Sequence, residues 1–586
     1  MTPALRILLL CHSFNSLSQR LFVELGELGH ALSVELDIAD RVTEEAVELF
    51  RPQLVIAPFL KRRIPESVWA RLPCLVVHPG PPGDRGPSAL DWAVLEERAD
   101  WGVTVLQANA EFDAGPVWDH ARVAMRAAPK GSLYRREVAE AAMQAVLRAV
   151  ARFAEGGAGA PVASAAMPGT WRPSIPQSAR HIDWLQDCTA RVLAKLRSAD
   201  GQPGVADELF GQPCHLSDGH AASTALLATL PPGAPGELLA RRDGALLRRT
   251  VDGALWIGQA RAASACGDGK PFKLPAALAF AAQADGLPEL PAPLERPDDE
   301  WGELRYREFG PPGGRLGCLS FDFHNGAMST PQCERLLAAL REVRRRDTQV
   351  LTLLGGRDFF SNGIHLNCIE AAAHRPGDSA ADESSRNINA MDDVALELIT
   401  MTDRLTVAVL RGNAGAGGAF LALAADEVWA HRGVVLNPHY KNMGNLYGSE
   451  YWTYLLPRRL GADGARVLMQ RRLPLGAAEA ARMGLIDRCV DADPTAFEAR
   501  AITDGEALAL SHNLAQRIAA KQQVRSADEA HRPLAAYRQD ELSRMHRNFY
   551  GFDPSYHVAR YHFVHKLPQA WTPRHLAVHR ERGATA

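Results

Sequence analysis

Short apolar runs alternate with amphipathic stretches through the first part of the chain. Arg6-Ile7-Leu8-Leu9-Leu10, Val34-Glu35-Leu36, Leu54-Val55-Ile56-Ala57-Pro58 and Leu75-Val76-Val77-His78-Pro79 read as strands. Between them, Leu17 to Gly29 and the stretch from Thr43 carry helical apolar spacing. Strands alternating with helices predict a parallel doubly wound sheet. Ligands of such sheets sit at the carboxyl ends of the strands. Three polar loops fall there: His12 to Asn15, the stretch after Pro58, and His78 to Ser88.

Further on the pattern changes. Ile182, Leu185, Val192, Leu193 and Leu196 form a helical stripe closed by Gly201 and Pro203. Short β-like segments follow near Cys214, over Gly236 to Leu247 and over Thr250 to Ile257, with glycine turns between them. Arg315 to Phe321, Val350 to Leu354 and Thr406 to Leu410 are again strand runs, and Thr330 to Arg346 is an amphipathic helix with a basic end. Two stretches rich in Pro, Gly or acid, Ala154 to Pro168 and Pro288 to Asp299, read as linkers or loops. The expected organisation is an α/β multidomain chain with domains at 1–165, 166–290 and 300–586.

Composition narrows the class. The chain has 586 residues, with 46% apolar and 23% charged; at roughly 150 residues per domain that suggests three to four units. A net charge of −3 supplies no global basic field for nucleic acid. Arg241, Arg242, Arg248 and Arg249 form basic pairs but read as a solvated face. Nine scattered cysteines without a CxxC pair argue for a reducing cytoplasm and against a zinc ribbon or disulfide scaffold. The N-terminal apolar core is too short for a secretory signal, and no run reaches the ~18 apolar residues of a membrane span. Neither nucleic acid, membrane nor metal is expected as a partner.

Two places carry candidate chemistry. The third polar loop reads HPGPPGDRGPSALDWAV, and GVTVLQANAEFDAGPVWD lies downstream. His78, at a strand end, is expected to be exposed, and Asp113 lies in a turn with Gly115. A His and a carboxylate brought together can move a proton to or from an amine; on residues alone a structural His remains open. In the second place, Val350 to Leu354 runs into GGRDFFSNGIHLN, and Leu405 to Leu410 runs into the small-residue turn Gly412 to Gly418 before an apolar helix. A strand opening onto glycine backbone at a helix start presents free N–H groups. Two such units can hold an oxyanion between two N–H donors; a tight packing turn is the other reading of the glycines.

His78-Pro79, Arg85-Gly86, Trp92-Ala93, Gly102-Val103-Thr104 and Asp113-x-Gly115 occur in the order and spacing of the folate-dependent formyltransferases, which the N-terminal part resembles. The resemblance implies His78 and Asp113 as catalytic residues, Asn15, Arg85 and Gly86 at the folate, and an OB-like β-barrel domain that begins near Ile182-Asp183-Trp184. Val76 stands where that family has a catalytic Asn, and Asn15 or Asn109 are the candidates to replace it. FFSNGIHL and Gly412-x-Ala414-x-Ala416-Gly417-Gly418, with Leu473 to Asp487 later, resemble the crotonase (enoyl-CoA hydratase/isomerase) superfamily over roughly residues 310 to 500. That resemblance implies Ile364 and Gly417 as thioester N–H donors. It also places Gly363, Arg357, Arg544 and Arg547 at coenzyme A, with Arg538 on the same helix face as the last two. Phe420 and Tyr440 stand where a hydratase has glutamates, so hydration of an enoyl-CoA is not expected. Tyr440 and Glu450 are the replacement acid–base candidates, with Tyr447 and His439 as support.

The pairing of these two halves resembles the HypX/HoxX family of hydrogenase maturation factors. It implies formyl transfer from 10-formyl-tetrahydrofolate to coenzyme A, then loss of CO from formyl-CoA, the CO becoming a ligand of a [NiFe]-hydrogenase. Small-molecule substrates and other hydrogenase maturation proteins are the expected partners. The alternatives are a formyltransferase acting on an amine, with a degenerate acyl-CoA-binding half, and a non-catalytic assembly partner of hydrogenase.

Overall fold

The computed structural model describes residues 3–161, 170–262 and 270–581. The Ala154 to Pro168 stretch read as a linker lies partly outside them. The chain falls into two compact units: residues up to Ile182, Ala190–Ala206 and the segment from Pro568 form one, and Asp183–Thr189 with Asp207–Leu567 the other.

The first unit is built on a six-stranded sheet in the order Ala31–Leu36, Arg6–Cys11, Leu54–Phe59, Cys74–His78, Asp100–Gln107, Val117–Ala124. The first four strands are parallel, as expected. The last two are antiparallel, because the chain returns beside Cys74–His78 after only a short helix, Ala89–Leu95. Ile7 to Cys11 are at most 1% exposed, which explains a continuous apolar run rather than an alternating one. The edge strand Ala31–Leu36 is covered by the C-terminal segment. Val34 N–H donates to Leu576 O at 3.0 Å. The fully buried Glu35 accepts from the Thr572 hydroxyl, from His579 Nε2 at 3.0 Å and from Arg580 Nη2 at 2.8 Å. Covering the edge removes a row of free backbone groups.

Beginning with an edge strand whose first two residues count with the first unit, the next sheet runs in the order Val205–Leu209, Gln212–Ala221, Ala254–Ala262, Ala245–Arg249, Leu238–Arg242, with Leu274–Pro275 added beside Ala254–Ala262. The four ladders from Gln212–Ala221 onward are antiparallel. Its core centres on Trp256. The helix before it starts at Thr189, not at Ile182: Asp183 and Asp187 side chains close a turn over 183–187, and Leu185 is 73% exposed. Arg242 is not on a solvated face; it is buried over the Trp256 ring and paired with Glu300. The Pro288 to Asp299 stretch is laid along the same sheet, with Leu290 N–H donating to Arg241 O at 2.9 Å.

A second sheet follows in the order Leu304–Phe309, Leu316–Phe321, Val350–Leu354, Leu405–Leu410, Glu427–His431, Arg488–Val490, parallel after its first pair. Each of three central strands is followed by a short strand of a smaller sheet: Phe359–Ser361, Asn413–Gly415 and Val435–Asn437. This stacking puts the two glycine loops on one level. Helices Leu514–His531, Leu534–Tyr550 and Ser555–Val564 complete the unit.

Candidate functional site

In the first unit, Cys74–His78 delivers His78 at its carboxyl end. The expected exposure is wrong: His78 is 4% exposed, because the following loop folds back over it. A turn closed by Asp84 N–H donating to Pro81 O at 2.9 Å brings the Asp84 carboxylate to His78 Nε2 at 2.9 Å. Gly80 makes room for this pair, since a Cβ there would lie 2.5 Å from both Asp84 Oδ2 and His78 Nε2. Asp113, at φ +53°, faces the other ring nitrogen, with Oδ1 3.6 Å from Nδ1. That gap is too long for a hydrogen bond. Asp113 Oδ2 accepts the Gly86 N–H at 3.0 Å. Gly86 is required where it stands: its φ is +117°, and a Cβ would meet Arg172 O at 2.0 Å. His78 therefore sits between two carboxylates, and Asp84 was not singled out from the sequence. Its signal was there, an acidic residue in a Gly/Pro loop six residues after the candidate His.

The other residues assigned to folate are spread around this loop layer. Asn15 caps helix Ser16–Glu27, accepting Ser18 N–H at 3.0 Å, and its amide lies 3.4 Å from the Tyr134 hydroxyl. Arg85 is partly exposed, 3.4 Å from Glu111. Asn109 accepts Glu111 N–H at 2.9 Å. Val76 lies within the ladder opposite Leu106 and offers no polar group.

In the second unit the two glycine loops meet. A Cβ on Gly363 would lie 3.3 Å from Gly417 N, and one on Gly418 would lie 2.1 Å from Ser361 O. Only side-chain-free backbone approaches this closely. Ile364 pairs with Met328, and Asn387, fully buried, holds this loop by accepting His365 N–H at 3.0 Å and donating to Met328 O at 2.9 Å. Gly417 opens helix Gly417–Leu423, where the first backbone N–H groups have no helical acceptor.

Tyr440 and Glu450 close over these loops as a directly bonded pair, the Tyr440 hydroxyl donating to Glu450 Oε2 and lying 3.0 Å from Ser449 O. Glu450 is 1% exposed, and its Oε1 is buried with no hydrogen-bond partner. A Cβ on Gly417 would lie 2.2 Å from that oxygen, so the carboxyl borders the N–H donor directly. Phe420 stacks on Tyr440, centroids 5.2 Å apart and 13° between planes. Tyr447 and His439 pack nearby, His439 buried and Tyr447 half-buried under Arg544.

Glu450 and Tyr451 both adopt left-handed φ, +59° and +60°, at a cost of about 1–3 kcal/mol each. Two buried carboxylates hold them. Asp392 accepts Glu450 N–H at 2.8 Å and the Ser449 hydroxyl; Glu541 accepts Tyr451 N–H at 3.0 Å and Thr453 N–H at 2.8 Å. Neither was identified from the sequence. Both stand on the apolar stripe of an amphipathic helix, Asp392 between Ile388 and Ala395, Glu541 between Leu534 and Met545. A charged residue on such a stripe is the signal that marks them.

Each acid of this cluster binds its proton more tightly than it would in water. Burial, then the Asp392 charge, pushes the Glu450 carboxyl well above the ordinary carboxylate range. Burial and the Glu450 charge push Tyr440 well above a normal phenol. Burial raises Asp392 to about 6 and Glu541 to about 8. Folded Glu541 thus keeps its proton up to about 8, whereas the unperturbed value is 4.5. Between these values the folded state binds more protons, so stability falls as pH rises through the window. Glu541→Gln removes this linkage. Its melting temperature is expected to decline less steeply than the wild type's across that window; thermal melts with parallel slopes would contradict it.

The arginines assigned to coenzyme A divide. Arg357 is 54% exposed, 3.9 Å from Glu498. Arg547 is exposed, and Arg544 lies over the Tyr447 ring at 4.5 Å. Arg538 is not available: it turns inward to Asp393 at 2.6 Å and stands 3.7 Å from Asp392. Among the described residues no cluster of three or more His, Cys, Asp or Glu is placed to hold a metal, and no helix is long and apolar enough to cross a membrane.

Comparison with known proteins gives this geometry its setting. The enoyl-CoA hydratase/isomerase family model matches residues 322–574. A methionyl-tRNA formyltransferase of Albidiferax ferrireducens is 30% identical over 152 residues, 26% of this chain and 43% of that protein. The hydrogenase maturation factor HoxX of Bradyrhizobium diazoefficiens is 56% identical over 582 residues, 99% of this chain and 98% of that protein. The crystal structure of HypX from Aquifex aeolicus in complex with tetrahydrofolic acid is 44% identical and covers 100% of both chains with a TM-score of 0.93. The chain belongs to the HypX/HoxX family of hydrogenase maturation factors.

Proposed function

We propose that this chain makes carbon monoxide for a [NiFe]-hydrogenase centre. It moves a formyl group from 10-formyl-tetrahydrofolate to coenzyme A and then releases CO from formyl-CoA. The observation that carries this reading is the buried Tyr440–Glu450 pair, whose unpartnered Glu450 Oε1 borders Gly417 where the two glycine loops converge. The tetrahydrofolate held by the Aquifex relative supports the folate half.

In the first step a C–S bond forms and the bond from the formyl carbon to the folate nitrogen breaks. The thiol loses a proton and the nitrogen gains one. His78, bonded to Asp84 through Nε2 and facing Asp113 across Nδ1, is the group that passes the proton. Arg85, Gly86 and Asn15 border the folate; the exposed Arg357 and Arg547, with Arg544, meet the phosphates of coenzyme A.

The second step breaks the C–H and C–S bonds of the formyl thioester, yielding CO and the thiol without any electron donor or acceptor. The Ile364 and Gly417 N–H groups hold the thioester oxygen. Glu450 Oε1, free and facing that point, takes the formyl proton; burial makes its carboxylate a stronger base. Tyr440 is held back as an acid by burial and by the Glu450 charge. Once Glu450 gains the proton, the second restraint disappears and Tyr440 protonates the departing thiolate. Transfer across the Tyr440–Glu450 hydrogen bond resets the pair.

Chemically prepared formyl-CoA given to the purified chain isolates this step. CO trapped by a reduced haem protein is the expected product; formate alone, or no turnover, would reject the reading.

A further inference from the structure

The position next to the acid–base pair is apolar, and this has a chemical consequence. Formyl thioesters carry an unhindered electrophilic carbon. A water molecule reaching it beside a carboxylate base forms a C–O bond and breaks the C–S bond, giving formate and the thiol. The same carboxylate that takes the formyl proton would activate that water. The site therefore needs a device that keeps water out.

We infer that Phe420 is the residue that sets the product of the second site, excluding water so that the formyl thioester loses CO rather than being hydrolysed to formate. The inference rests on the decarbonylation reading above. Phe420 is 0% exposed and lies in the first turn of the helix opened by Gly417. Its ring lies flat against Tyr440, and Gly448, at φ +94°, packs against the same Tyr440 ring so tightly that a Cβ there would lie 2.0 Å from Cε2. Tyr440 is thus held by Phe420 and by the Gly448 backbone, with its hydroxyl fixed on Glu450. Tyr440, Ser449 and Glu450 are 4%, 0% and 1% exposed.

A void opened on the Phe420 side would not stay dry. Buried water settles where two or more polar partners are unsatisfied or within reach. Glu450 Oε1 has no partner, the Tyr440 hydroxyl is on the same pair, and the helix opened by Gly417 begins beside that oxygen. An apolar side chain of similar bulk keeps that space filled; a small or polar one does not.

The test supplies formyl-CoA labelled with ¹³C at the formyl carbon, in H₂¹⁸O, to the full chain and to Phe420→Ala, Phe420→Gln and Phe420→Leu. CO and formate are measured together. The Ala and Gln variants are expected to raise the formate-to-CO ratio at least about tenfold, with one ¹⁸O per formate. The Leu variant turns over more slowly, because Tyr440 loses its stacked partner, but keeps CO as the main product. Ala and Gln variants that lose rate with the ratio unchanged would overturn the inference and leave Phe420 a packing residue. Wild type that releases no CO would instead reject the decarbonylation reading itself. If Phe420→Ala does not fold, the Gln and Leu variants decide the question through the same ratio.

Discussion

Glu450→Gln is expected to lower CO release from supplied formyl-CoA by about 10²–10⁴-fold, the usual contribution of a positioned general base. The substitution keeps the shape of the side chain and an acceptor oxygen for the Tyr440 hydroxyl, and removes the oxygen that can take a proton. It places no new charge beside the buried Asp392, so the left-handed turn at Glu450, held by the Asp392 bond to its backbone N–H, is expected to survive. Release of tetrahydrofolate from 10-formyl-tetrahydrofolate and coenzyme A should continue, and formyl-CoA should accumulate. Loss of both steps together would mean that Glu450 serves the fold rather than the proton.

His78→Gln is expected to give the complementary result. Formyl transfer to coenzyme A should fall by about 10²–10⁴-fold, while CO release from supplied formyl-CoA continues at the wild-type rate. His78 belongs to the first unit and Glu450 to the second, so the two substitutions test the two clusters one at a time. Asp84→Asn tests the added carboxylate: it keeps a side chain of the same size 2.9 Å from Nε2 while removing the charge that faces the ring. A loss of transfer rate with tetrahydrofolate affinity retained would mark Asp84 as a residue that positions His78. Equal loss of affinity would mark it as part of the loop's scaffold.

Much of this architecture is legible in the chain itself. Ile7 to Leu10 are apolar throughout, and Val350 to Leu354 apolar but for Thr352, because both sheet faces are covered, and the glycines at 363, 417 and 418 stand where two backbones touch. Tyr440 and Glu450 were reached through motif order, and their direct bond is something no spacing rule contains. What escaped the sequence was long-range burial. His78 was expected at the surface because a strand end usually is; the Pro81 to Asp84 turn folds back to cover it. Arg242 looked like surface charge because its neighbour is basic, and Arg538 because it shares helical spacing with Arg544 and Arg547, yet each turns inward to a carboxylate distant in sequence, Glu300 and Asp393. Asp392 and Glu541 stood on apolar helical stripes, where charge is out of place, and there the pattern did carry a readable signal. The antiparallel return beside His78 had no such signal, since strand direction depends on how the connection packs.

The central claim is that one chain turns a folate-bound formyl group into CO by way of coenzyme A. Purified protein given ¹³C-formyl-labelled 10-formyl-tetrahydrofolate and coenzyme A should release ¹³CO together with tetrahydrofolate, and only when coenzyme A is present. Tetrahydrofolate release without ¹³CO, with the label recovered in formate or a formylated amine, would contradict the account.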